Sequence, residues 1–155
     1  MGNAAVEQNK IPRIQLGITE DDFMRMGAMG ASFYERGDLE RARIIFEGLV
    51  EIDPNSGDAH AALGALYTRT NKDDDALTHL NLAIQLDENM IAPYVNRAEV
   101  FIRQQKLEAA VEDIKKAVAL DPEEKDPAAN RARAMALGLY SILESTVNDE
   151  NAPSN

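Results

Sequence analysis

The chain holds few residues able to carry chemistry. His60 and His79 are its only histidines, and histidine is the side chain best suited to proton transfer near neutral pH. A histidine base needs a nucleophile within reach and a third group to orient it, and no such set accompanies either residue. Lys72-Asp73-Asp74-Asp75 gathers three carboxylates, the material of a hard-cation site. It lacks the alternating oxygen ligands and central glycine of an EF-hand loop, whereas acids at the start of a helix are favoured by its dipole. No Gly-rich loop is present to cradle phosphate; Gly27 and Gly30 fall inside a helical pattern and read as packing positions. There is no cysteine, which removes disulfides, thiolate metal sites and cysteine nucleophiles together. No catalytic residue, metal site or cofactor is expected, and the chain is not expected to be an enzyme.

The totals narrow the partners. Net charge is −11 over 155 residues. Neutralising phosphates needs clustered Lys and Arg, so nucleic acid is not an expected partner. No apolar run approaches the ~20 residues that span a bilayer, so no membrane insertion is expected. Met1-Gly2-Asn3-Ala4-Ala5-Val6 has no basic segment leading into an apolar one, and Val6 stands where a myristoylation signal wants Ser or Thr. With the lack of cysteine, this points to the cytoplasm.

The elements that position these residues are set by a repeat. Gly30-Ala31-Ser32-Phe33, Gly64-Ala65-Leu66-Tyr67 and Ala98-Glu99-Val100-Phe101 recur at one constant step in the numbering, from 30 to 64 to 98. The same step separates Ala42, Ala76 and Ala110, then Phe46, Leu80 and Ile114, then Asp53, Asp87 and Asp121, with Pro54 and Pro122 beside the outer two. A period of this size marks stacked supersecondary units. Within each unit the small residue and the aromatic are three apart, on one face of a first helix; the alanine and the large apolar residue are four apart on a second. Small residues let two backbones approach, and neither helix can bury its stripe alone.

This pattern resembles the tetratricopeptide repeat, in three units beginning near Phe23, Gly57 and Ile91. Glu88 stands where the family prefers proline, and Arg97 occupies a slot usually filled by leucine. The resemblance implies an all-α fold: a tetratricopeptide α-solenoid of three helix-turn-helix repeats with a C-terminal capping helix, wound as a right-handed superhelix. The expected organisation is a flexible leader over 1–17, the repeat domain over 18–146 and a disordered tail over 147–155. Thr19 and Asp22 read as a capping-box variant that starts the first helix. Gly37 and Asn71 suit the left-handed positions that end first helices, and Asp38 can cap the next. The last helix is expected from about Pro127 to Ser145, with Met135, Leu139, Ile142 and Leu143 on one side.

In this family the first helices line a concave groove. By register its residues here are Met24, Gly27, Ala28, Ala31 and Tyr34, then Asp58, Ala61, Ala62, Ala65, Thr68 and Arg69, then Ala92, Val95, Asn96, Glu99, Ile102 and Arg103. The small residues either make a smooth trough for a ligand or permit tight curvature. A trough with apolar anchors suits an extended peptide, so a protein or peptide partner with apolar anchors is expected. Family members that grip chaperone C-termini use a basic clamp; the matching positions here are Gly27, Ala31, Ala62, Ala92 and Asn96, with no charge among them. A closer resemblance is to the class II chaperones of bacterial type III secretion. Phe46-x-x-Leu49 followed by Ile52-Asp53-Pro54 resembles their first-repeat ending, and Ala98-Glu99 their third-repeat pair, with Val100 where they have cysteine. That branch implies a translocator segment held by Tyr34, Ala62, Ala65, Val95 and Asn96. The alternative is a self-associating scaffold, in which Ile11-Pro12-Arg13-Ile14-Gln15-Leu16 of the leader occupies a neighbour's groove, and a homo-oligomer is expected.

Overall fold

The computed structural model describes residues 13–150, and all the regular structure among them is helical. A short 3-10 helix, Arg13–Leu16, precedes seven α-helices. Of the expected leader and tail, residues 1–12 and 151–155 lie outside the described residues. The chain divides into two compact units, 1–88 and 89–155.

The first unit contains α1 (Glu20–Glu35), α2 (Leu39–Ile52), α3 (Gly57–Arg69) and α4 (Asp73–Leu86). Helices α1 and α2 pack as one hairpin, α3 and α4 as the next, and α2 packs on α3. The repeated residues make the hairpin seams. A Cβ placed on Gly30 would stand 2.5 Å from the ring of Phe46, and one on Gly64 would stand 2.7 Å from Leu80. Glycine therefore sits where a large side chain of the facing helix fills the space that a Cβ would need. Around these seams Ala42, Leu49, Leu63, Leu66, Ala76 and Ala83 are buried.

Local chemistry starts and stops each helix. The Thr19 side chain accepts from the Asp22 backbone N–H while Asp22 accepts from the Thr19 N–H, which completes the capping box. Asp38 caps α2 by accepting from the Arg41 N–H, and Ser56 caps α3 by accepting from Ala59. Three first helices end in the same way, at equivalent positions of successive repeats. Gly37 (φ 81°), Asn71 (φ 56°) and Gln105 (φ 60°) are left-handed. The next residue's N–H then reaches back to a carbonyl five positions earlier: Asp38 to Phe33, Lys72 to Tyr67, Lys106 to Phe101. Gln105 has no intrinsic preference for this conformation; the turn imposes it.

The second unit contains α5 (Ile91–Arg103), α6 (Leu107–Ala119) and α7 (Pro127–Glu150). Helices α5 and α6 form a hairpin, and α7 packs on both. The last helix thus runs past the expected end at Ser145. Ala129 and Ala132 are fully buried, while Leu137 and Tyr140 are 72% and 62% exposed. Ile142, grouped by the sequence with Met135 and Leu139 on one side of the helix, is also exposed. Asp121, the last of the periodic aspartates, is buried and ties α6 to α7. Its carboxylate accepts from the N–H groups of Lys125 and Asp126 (both 3.1 Å) and from Arg133 (3.0 Å). Burial alone would raise this carboxyl; the hydrogen bonds from Arg133 and the two backbone donors outweigh it and hold the group below its ordinary value.

Candidate peptide-binding groove

A cavity of about 540 Å³ opens in the first unit between α1, α2 and the start of α3. Its width follows from residue size: Gly27, Ala28 and Ala31 on α1 face Gly57, Ala59 and Ala62 on α3. Its floor is Phe23, Phe46 and Leu49, all buried, and Met24 stands at its mouth, 56% exposed. The charged lining residues are Glu20, Asp53 and Asp58; no lysine, arginine or histidine contributes. The site is an apolar trough with an acidic rim. It can hold an apolar side chain and favours a cation beside it.

Of the residues expected to line a groove, Met24, Gly27, Ala28, Ala31, Asp58 and Ala62 line this one. Ala65 is half-buried beyond it. Tyr34 and Arg69 pair with each other: the guanidinium lies 4.8 Å from the ring centroid and donates to the Tyr34 carbonyl at 2.8 Å. That contact joins the C-terminal ends of α1 and α3. In the second unit the expected open surface is partly closed. Val95 is fully buried, and the amide oxygen of Asn96 accepts a hydrogen bond from Arg131 of α7. The α7 helix covers this part of α5, so both residues belong to the unit's interior. Glu99 and Arg103 approach at 4.0 Å on one face of α5, and Ile102 is half-buried.

Reasoning from the repeat misses the floor and most of the rim. Phe46 and Leu49 read as seam residues of a second helix, yet they also face the space between α1 and α3. Of the rim, Asp58 follows from the register, whereas Glu20 at the start of α1 and Asp53 in the α2–α3 turn come to the same mouth only in the fold.

The two histidines do meet. His60 Nδ1 lies 2.9 Å from His79 Nδ1, and His60 Nε2 lies 2.9 Å from the Pro54 carbonyl oxygen. Their rings stack at 5.2 Å, and Tyr67 leans on His79 at 5.7 Å. Burial, with His60 adding to it, holds His79 below its ordinary value of 6.5, while Asp75 and Glu47 pull the other way. The Tyr67 hydroxyl donates to Glu47 at 2.9 Å; burial first and that contact second push it up to about 12. Among the described residues no group of three or more His, Cys, Asp or Glu is placed to hold a metal ion. No described helix is long and apolar enough to cross a membrane.

Comparison with known proteins agrees with this architecture. Tetratricopeptide repeat family models match residues 33–94 and 91–124, together more than half of the chain. The human DnaJ homolog subfamily C member 7 is 29% identical over 91 residues, which cover 56% of this chain and 18% of that protein. The chain thus spans less than a fifth of the length of that curated relative. Among solved structures, PcrH in complex with the chaperone binding region of PopB is similar with a TM-score of 0.68 and 26% identity, covering 77% of this chain and 98% of PcrH. The Yersinia enterocolitica type III secretion translocator chaperone SycD shares the fold at a TM-score of 0.69 and 19% identity, covering 79% and 92% of the two chains. The fixed period, the glycine seams, the recurring left-handed turns and these matches agree, and the chain belongs to the tetratricopeptide repeat family.

Proposed function

We propose that this chain is a non-catalytic binding module that holds an extended segment of a partner polypeptide, as a cytoplasmic chaperone of the secretion type does. The observation that carries the reading is the trough in the first unit, with an aromatic and aliphatic floor, small walls and an acidic rim. Extended segments dock by inserting a few apolar side chains into such pockets, and most of the binding energy comes from those anchors. Met24 and Ala62 are the wall residues we assign to contact. The rim selects further: a segment with Lys or Arg beside its anchors is attracted, and an acidic one is repelled. The likeness to PcrH, crystallised with a segment of PopB, supports a held polypeptide rather than a small molecule.

The test is an array of eight-residue peptides with Leu or Ile anchors, flanked by Lys, Ser or Glu. Lys-flanked members should bind best, and Ala62→Glu, which thrusts a charge into the trough, should weaken them at least tenfold. Equal binding by Ala62→Glu, or a preference for Glu-flanked members, would refute the assignment.

A second reading has its own observation. Leu137, Tyr140 and Ile142 are exposed on α7, within a run from Ala134 to Leu143 that carries no charge. We infer self-association through this stretch. Light scattering should report a mass above one chain that falls in Leu137→Glu/Tyr140→Glu; a wild-type monomer at high concentration would end this idea.

A further inference from the structure

We infer that His60 and His79 form a proton-sensitive clasp that fixes the α2–α3 turn and, with it, one lip of the groove. Its effect on an occupant rests on the binding reading above; the clasp itself does not.

The proton inventory follows from the partners. The Pro54 carbonyl can only accept, so His60 carries its hydrogen on Nε2. Neutral His60 then presents a lone pair at Nδ1, and the 2.9 Å contact requires His79 to donate from its own Nδ1. One directed chain results: His79 to His60, and His60 to Pro54. It links α4, α3 and the turn that enters α3. Asp53, Ser56, Gly57 and Asp58 belong to that turn or the first residues of α3, and all four line the cavity.

Proton uptake acts on this chain in two steps. The first proton goes to His79 Nε2 and leaves the Nδ1 donor in place. The second must go to His60 Nδ1, which destroys the acceptor and sets two N–H groups of two cations face to face across the 2.9 Å contact. The charged and titratable groups facing His79, besides His60, are Glu47 from α2, Asp75 from α4 and Tyr67 from α3. Glu47 is already held by Arg43 at 2.7 Å and by the Tyr67 hydroxyl, so its charge is largely committed. His60 itself is only 4% exposed, and water does not replace the missing acceptor.

The sign is therefore fixed. An opened clasp can take two protons, whereas the closed clasp has room for only one, and burial holds His79 below its ordinary value even for that one. Closure is strongest above pH 6.5 and weakens as pH falls below it. At pH 5.5 each proton that the closed form refuses favours the open form by about tenfold.

The experiment is hydrogen exchange on the full chain at pH 7.5 and 5.5, corrected for the intrinsic rate, comparing the segment Ser56–Ala62 with α1. Helix α1 lies in the same unit and reports the unfolding of that unit as a whole. In wild type, protection of Ser56–Ala62 should drop about tenfold or more beyond that of α1 between the two pH values. His79→Asn cannot titrate, and its amide can turn from donor to acceptor when His60 gains a proton, so its Ser56–Ala62 protection should be flat across the range. His79→Ala should be poorly protected there at both pH values. Wild-type protection that is unchanged at pH 5.5, or a full pH response retained in His79→Asn, would overturn the clasp. No peptide enters this measurement, so its failure and the failure of peptide binding are separately visible.

Discussion

Arg97 and Asp113 face each other across the α5–α6 hairpin in a two-pronged ion pair, Nε to one carboxylate oxygen at 2.8 Å and a terminal nitrogen to the other at 2.7 Å. The side chains are 20% and 7% exposed. Arg97 stands in a slot where repeats of this type prefer leucine, and Asp113 holds in the third repeat the slot that His79 holds in the second. The departure is thus matched by a partner on the facing helix. The guanidinium also lies 5.7 Å from the Tyr94 ring centroid, so the arginine is both paired and packed.

The pair is expected to behave as a unit. Arg97→Leu alone leaves Asp113 buried and uncompensated, and should cost about 3–5 kcal/mol in urea unfolding. Arg97→Leu with Asp113→Leu restores an apolar seam and should recover most of that loss. Additive losses in the double variant would show that the pair is not coupled.

Two glycines inside helices should respond oppositely to alanine. An added Cβ at Gly64 meets Leu80 at 2.7 and 2.8 Å and the Leu80 backbone nitrogen at 3.3 Å, so Gly64→Ala should destabilise by about 1–3 kcal/mol. Nothing lies within 4 Å of a Cβ at Gly48 in α2, so Gly48→Ala should stabilise by about 0.5–1 kcal/mol. Melting temperatures that move the same way for both would contradict the seam account.

Gln105 holds a left-handed backbone that a glycine adopts without strain. Its side chain is exposed, so little packing is lost on truncation. Gln105→Gly should raise the unfolding free energy by about 1 kcal/mol, read as a higher urea midpoint at constant slope. A lower midpoint would mean that the glutamine side chain contributes more than its backbone costs.

These particulars show where the sequence was legible. The helices and seams follow from slots repeated at every period, and Thr19, Gly37, Asp38 and Asn71 announce their roles by residue type. Gln105 does not; only its place in the period betrays it. The seam pairs Gly30 with Phe46 and Gly64 with Leu80 at a separation of 16, and Arg97 with Asp113 at the same separation. His60 and His79 are 19 apart, off that register, and two long imidazoles close a distance the pattern does not predict. Val95 and Asn96 were misplaced for another reason. Periodicity marks which face of α5 is turned toward a groove, but Arg131, which reaches Asn96, lies in α7 beyond the last repeat. The floor of the trough was hidden because Phe46 and Leu49 serve the seam and the cavity together.

The most direct test of the central claim is a chemical-shift map of the labelled chain with the strongest-binding lysine-flanked peptide of the array. The account predicts saturable shifts at Met24, Ala28, Ala31 and Ala62, none along α6, and their disappearance in Ala62→Glu. Shifts confined to other surfaces, or an array in which no peptide binds above background, would contradict it.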